Sequence, residues 1–227
     1  MKRSLRLGLM VPANNTTMEP ELLALLPAGS SCATLRVPRS QGLLTPESIP
    51  AYKQEALALA ERFAGIDPAV IAYGCTAASF MTGKAGDAEF AARLAGITGK
   101  PVVTTAQAMV AVLQEAGAKT IALVTPYGDA VNDCLKTYLA DSGIAVRCFD
   151  SLYAADVEAL GRIGSGEVAE MARKTVDDGC DALFIACSQL PTCDILPGLR
   201  EELGRPVFSS VEATARVAAR AVNFEIA

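Results

Sequence analysis

Histidine and tryptophan are both absent from the 227 residues, and aromatic side chains make up only 5 % of them. Without histidine the chain cannot build a Ser-His-Asp triad, a Cys-His dyad or a His-containing zinc site. Basic residues are scarce as well: 20 Lys and Arg stand against 25 Asp and Glu, a formal net charge of −5. No basic stripe offsets that balance, so the electrostatic footprint for nucleic acid is missing. Long apolar runs are missing too. No segment approaches the roughly 18 to 20 apolar residues of a membrane span. The run from Leu7 to Val11 in "MKRSLRLGLMVPANN" is too short for a secretory h-region and reads as a buried first strand.

What is present is a large core. A hydrophobic content of 51 % with 20 % charge fits a compact soluble protein, long enough for one domain or two of about 110 residues. Seven cysteines, an odd number with no export signal, point to reduced thiols and a cytoplasmic location. The nearest pairs, Cys180–Cys187 and Cys187–Cys193, lack the spacing of a zinc knuckle, so no metal is expected.

Short apolar strands alternate with helical patterns along the chain. "LRLGLMVP", "SCATLRVP", "AVIAYG", "KPVVTT", "TIALVTP", "IAVRCFDSL", "DALFIAC" and "RPVFSS" read as strands. "TTMEPELLALL", "SIPAYKQEALALAERFA", "EFAARLAGIT", "AQAMVAVLQEAGA", "DAVNDCLKTYLADSG", "SGEVAEMARKTVDDG" and "VEATARVAARAV" read as helices. This alternation predicts an α/β fold with parallel sheets covered on both faces.

The second half repeats the first. Cys75 and Cys187, Pro12 and Pro126, Arg36 and Arg147, and Pro101 and Pro206 each recur at an offset of about 110 residues, far too long for a solenoid. The expectation is two similar parallel-sheet lobes related by a pseudo-two-fold axis, with the active site in the cleft between them. The boundaries read as 1–105 plus 210–227 for the lobe carrying Cys75, and 106–209 for the lobe carrying Cys187. Ligands in such sheets bind beyond the carboxyl ends of the strands, where both cysteines fall.

Each of these cysteines closes an apolar strand and precedes a hydroxyl residue, in "AYGCTAASF" and "FIACSQLPT". A helix start after each thiol would favour thiolate and leave backbone N–H groups for a carboxylate. Two thiols across a substrate support two chemistries. They can act as opposed acid and base on one carbon, or one can add to an activated alkene while the other handles the proton. Neither needs a metal or cofactor. Cys32, Cys134, Cys148, Cys180 and Cys193 read as inert core thiols.

"GCTAASF" and "ACSQLPT" resemble the paired cysteine loops of the aspartate/glutamate racemase superfamily. "VPANNTTMEPEL" is similar to the signature of its maleate cis-trans isomerase branch, with Ala13 in place of a Ser, and "TPYGDAVN" to a loop shared with arylmalonate decarboxylases. The resemblance implies that Cys75 adds to maleate and Cys187 supplies and removes the proton. Asn15 and Tyr127 would hold substrate carboxylates, helped by Thr76 and the backbone after each cysteine (Ala77, Ser188, Gln189), with Asn14 beside them. Val157 falls where the isomerases carry a further substrate-binding Asn, which suits a substrate with one apolar end. The decarboxylase branch has Gly where this chain has Cys75. The resemblance also implies a homodimer acting on a small carboxylate without cofactor. A racemase of an amino acid or hydantoin, a decarboxylase of substituted malonates, and a non-catalytic carboxylate-binding protein are the alternatives. The segment 40–50, "SQGLLTPESIP", is rich in turn formers and reads either as a lid over the cleft or as an ordinary connecting loop.

Overall fold

The computed structural model describes residues 4–38 and 42–224. Among them, β1 (Arg6–Pro12), α1 (Met18–Leu25), β2 (Ser31–Val37), α2 (Ile49–Ala60), β3 (Val70–Tyr73), α3 (Thr76–Phe80), α4 (Gly83–Thr98) and β4 (Val102–Thr104) form the first repeat. A second follows α5 (Thr105–Glu115): β5 (Thr120–Thr125), α6 (Asp129–Ala140), β6 (Ala145–Ser151), α7 (Val157–Arg162), α8 (Ser165–Thr175), β7 (Ala182–Ile185), α9 (Leu196–Leu203), β8 (Val207–Ser209) and α10 (Ser210–Arg220). The sheets have the same order, β2-β1-β3-β4 and β6-β5-β7-β8, and every pairing is parallel. None of the described helices is long and apolar enough to cross a membrane.

Both faces of each sheet are buried, and the two-residue period of a strand sorts its side chains between them. Leu7, Leu9, Val70, Ala72, Ile121, Leu123 and Phe184 face one central core, which α5 and α10 fill with Met109, Val112, Val211 and Ala215. The alternate residues face outward. Met10, Ile71 and Tyr73 pack under α2 and α4, and Val124, Leu183 and Ile185 under α8 and α9. Helix α10 lies against β3 and β4 of the first sheet as well as against α5.

Register makes the repeat visible. Met10 pairs with Tyr73 and Val124 with Ile185, so Cys75 and Cys187 each come two residues beyond matching ladder positions. The proline landmarks also coincide. The arginines do not: Leu35 stands opposite Met10 and Asp150 opposite Val124, which matches Arg36 to Ser151 rather than to Arg147. The cause is a bulge in β6, where Val146 faces Ile121 and Cys148 faces Ala122, leaving Arg147 as the extra residue.

The strands follow the sequence reading, whereas the helices depart from it in places. α4 begins at Gly83, well before "EFAARLAGIT", and the short helices α7 and α9 were not anticipated. No helix follows Cys187 directly; residues 188–190 form a turn and α9 starts only at Leu196. Pro191 accounts for this, because the residue before a proline is pushed out of the helical region.

Candidate active site

Strand β3 delivers Cys75 through Gly74. A Cβ on Gly74 would come within 2.4 Å of Met18 Sδ and 2.8 Å of Val11 Cγ1, so only glycine lets the start of α1 lie over this turn. Cys75 is extended (φ −118°, ψ 94°) and begins α3, a helix of five residues. Cys187 is placed by β7, and the N–H of Gln189 donates to its sulfur at 3.4 Å. At the second thiol the N–H of Gln189, in a turn, takes the place of the helix terminus that the sequence suggested.

Both thiols open on one cleft, 4 % and 6 % exposed respectively. At about 70 Å³ the cleft is far smaller than the ~300–1,000 Å³ of pockets that take drug-sized ligands, so its ligand is small. Cys75, Thr76, Ala77, Asn14, Asn15, Tyr127, Ser188 and Gln189, the candidates named from the sequence, all line it. Val157 does not line it; Leu160, one turn further along α7, does. Leu43, Leu44 and Val131 complete an apolar wall that the sequence reading missed. Of the segment 40–50, Ser40 and Gln41 lie outside the described residues, while Leu43 packs with the second lobe and Leu44 with the first.

Asn15 has a double role. Its Oδ1 accepts from the N–H of Thr17 (3.1 Å) and of Met18 (2.9 Å), capping α1, while its Nδ2 donates to Ser188 Oγ at 3.1 Å in the other lobe. Gln189 is engaged in the same way. Its side chain accepts from Thr16 N–H and donates to Thr16 Oγ1, both at 3.1 Å, which makes it a bridge between lobes. Glu21 adds a third bridge, accepting from Thr192 N–H at 2.6 Å, Cys193 N–H at 3.1 Å and Thr192 Oγ1 at 3.1 Å.

Tyr127 stands on a fixed loop. Its carbonyl accepts from Asn132 Nδ2 and Ser151 Oγ, both at 2.7 Å, and its ring meets Phe80 edge-on at 5.8 Å. Its hydroxyl is shut off from solvent, close to the Cys187 thiol and Thr76 yet without a hydrogen bond of normal geometry to either. Thr76 Oγ1 is buried and unpaired in the same way. Burial first, and then the neighbouring thiols, hold the Tyr127 phenol well above its ordinary pKa, so it remains a neutral donor. Two unsatisfied hydroxyls in one cleft make a site for an acceptor, since buried polar groups left unpaired are costly.

Behind Cys75 lies a charged cluster that the sequence reading did not detect. Lys53, only 8 % exposed, donates to Thr82 Oγ1 at 2.6 Å and sits 4.7 Å over the Phe90 ring. Asp87 is fully buried, and its Oδ2 accepts from Thr104 Oγ1 at 2.7 Å and Tyr138 at 3.1 Å. Burial lowers the pKa of Lys53, opposed by attraction to Asp87 and Cys75, and burial pushes the Asp87 carboxyl up to about 6. No linear spacing in the sequence marks these residues as neighbours.

Comparison with known proteins decides the lineage. The arylmalonate decarboxylase family model matches residues 7–227. The chain belongs to that family. Among curated relatives, the maleate isomerase of Nocardia farcinica is 30 % identical, with 98 % of this chain and 92 % of the relative covered. The maleate isomerase of Geobacillus stearothermophilus is 28 % identical over 99 % and 94 %. The arylmalonate decarboxylase of Bordetella bronchiseptica is 29 % identical over 90 % and 82 %. Among solved structures, a cysteine-to-serine mutant of the Nocardia farcinica maleate cis-trans isomerase with a covalently bound succinylcysteine intermediate superposes with a TM-score of 0.86 at 27 % identity, covering 98 % of this chain and 94 % of that one. This family membership and the two-lobed architecture agree with the resemblance read from the cysteine loops.

Proposed function

We infer that this chain is a cis-trans isomerase of maleate or a closely related small alkene diacid, working through its two cleft thiols. The observation that carries the reading is the pair Cys75 and Cys187 in one small cleft with the buried, unpaired hydroxyls of Tyr127 and Thr76. Maleate isomerases from several bacteria are similar over nearly the whole chain, and the succinylcysteine adduct of the Nocardia farcinica protein supports covalent addition by a cysteine.

In this mechanism the Cys75 thiolate forms a C–S bond to one alkene carbon, and the π electrons shift to the neighbouring carbon, which takes a proton from Cys187. The former double bond is now single and rotates. The Cys187 thiolate then withdraws the proton, the C–S bond breaks and fumarate leaves, with both sulfurs restored. The Gln189 N–H on Cys187 stabilises that sulfur while it carries negative charge. Tyr127 and Thr76 donate to a substrate carboxylate, and the second N–H of Asn15 Nδ2, beside the one it gives to Ser188, serves the other. No step calls for a metal or a cofactor.

Proton NMR of the protein with maleate in deuterated buffer, run beside Cys75→Ser, tests the reading. Fumarate is expected with the intact thiol only. Loss of CO2 from a substituted malonate, or deuterium exchange at an α-amino carbon, without any fumarate would replace it with decarboxylase or racemase chemistry. The apolar wall of Leu43, Leu44, Val131 and Leu160 supports a wider substrate range, so 2-methylmaleate belongs in the same assay.

A further inference from the structure

We propose that Cys148, Asp177 and Cys180 form a binding site for a thiophilic divalent cation of zinc-like preference, separate from the catalytic cleft. The two sulfurs and a carboxylate oxygen all lie within 4.8 Å of one another. The site sits toward the opposite end of the second sheet from the cleft, since Cys180 precedes β7 while Cys187 follows it.

The fold builds this cluster by identifiable means. The bulge in β6 makes Arg147 the extra residue. Adjacent residues of a regular strand point to opposite faces, but a bulge re-aims them. Here Arg147 Nε donates to Asp177 Oδ1 at 2.9 Å, and the Cys148 sulfur reaches the same carboxylate. The turn carrying the other ligands is fixed as well. Gly179 N–H donates to Asp177 Oδ1 at 2.9 Å, and the Cys180 thiol donates to that oxygen at 3.4 Å. Arg205 Nη1 donates to the carbonyls of Asp177 and Cys180 at 2.6 and 2.8 Å. A Cβ on Gly179 would stand 2.4 Å from Arg147 Nε, so glycine at this position leaves room for the guanidinium where it now lies.

The chemistry of the donors selects the ion. Thiolates favour zinc and similar soft cations over magnesium or calcium. Metal–sulfur bonds of ~2.3 Å and metal–oxygen bonds of ~2.0–2.2 Å require donors roughly 3.5 Å apart. The observed cluster reaches that spacing by side-chain rotation of exposed Asp177 and half-exposed Cys148. Binding one cation displaces two thiol protons, and a water fills the fourth position. Two thiolates, one carboxylate and a divalent ion sum to one negative charge, which Arg147 and Arg205 flank. Arg147 is 53 % exposed, so it can withdraw from the carboxylate oxygen it now holds.

The test is titration of the reduced, metal-free full chain with Co2+, reading the near-ultraviolet thiolate-to-cobalt charge-transfer band and the protons released. The expected result is one ion and two protons per chain, displacement by Zn2+, and affinity weakened ~100-fold or more in Cys148→Ser and in Cys180→Ser. Asp177→Asn, which keeps the thiols, is expected to weaken binding at least ~10-fold. Cys75→Ser should leave the band unchanged, and Cys148→Ser should leave maleate turnover unchanged. Absence of a band, a band that disappears with Cys75→Ser, or closure of Cys148 and Cys180 into a disulfide in place of metal uptake would each overturn the proposal.

Discussion

Ser188 Oγ donates to the carbonyl of Gly74 at 2.7 Å. The residue that follows one thiol is thereby bonded to the residue that precedes the other, and Asn15 Nδ2 donates to the same hydroxyl. The relative placement of Cys75 and Cys187 is thus set by a three-residue network across the lobes rather than by either sheet alone.

Exchange of the two thiols should give different phenotypes. Cys75→Ser is expected to abolish isomerisation while the far-ultraviolet circular dichroism stays native, because a serine hydroxyl is a far weaker nucleophile. Cys187→Ser keeps the nucleophile and impairs proton handling, so a covalent adduct equal in mass to one maleic acid should accumulate. Mass spectrometry of the intact chain checks this; near-native turnover by Cys75→Ser would rule out the covalent route.

Tyr127→Phe removes a donor that has no partner within the protein. Little stability should be lost with it, since the hydroxyl makes no hydrogen bond of normal geometry. Binding of a carboxylate should lose about 1.5–3 kcal/mol, the value of a hydrogen bond to a charged group, or roughly 10- to 100-fold in kcat/KM. Unchanged stability together with lower kcat/KM is the expected pair of results, read by thermal melting and steady-state kinetics.

Glu21→Ala removes the acceptor for two backbone N–H groups and one hydroxyl at Thr192 and Cys193. A stability loss of about 2–4 kcal/mol is expected, because the donors are left without a charged partner. Denaturant unfolding measures it. A loss below about 1 kcal/mol would mean that this bridge does not hold the lobes together.

Asp87 predicts a pH dependence. The unfolded chain releases this proton near the ordinary carboxylate pKa of about 4, whereas the native chain holds it to about 6. Between those values the native state binds more protons, so this group's contribution to stability falls as pH rises; it is constant below about 4 and above 6. The shift of about two pKa units corresponds to roughly 3 kcal/mol. Comparing wild type with Asp87→Asn isolates the effect. The variant should gain on wild type by about that amount between pH 4 and pH 7, and a parallel pair of curves would show that Asp87 ionises normally.

The strands, the duplication and the two cleft thiols were legible in sequence because each leaves a local mark: an apolar run, a repeated landmark, a cysteine closing a strand. The mismatch of Arg36 and Arg147 was hidden because a bulge adds one residue without changing composition. The turn after Cys187 was hidden because "SQL" carries no breaker of its own, and the deciding Pro191 comes after it. Lys53 and Asp87, on α2 and α4, and the wall formed by Leu43 and Leu160 meet only through tertiary packing. Linear spacing could not predict them.

Helix α10 covers β3 and β4, strands encoded far ahead of it. While the chain is being synthesised, the face of the first sheet that carries Val70 and Ala72 therefore keeps only part of its cover, from α5, until Ser210–Arg220 emerge. Most multidomain chains fold their earlier half on the ribosome before the later half exists. In this protein the earlier half borrows part of its cover from the later one, so a nascent chain interrupted before α10 should be a substrate for chaperones rather than a half-active enzyme.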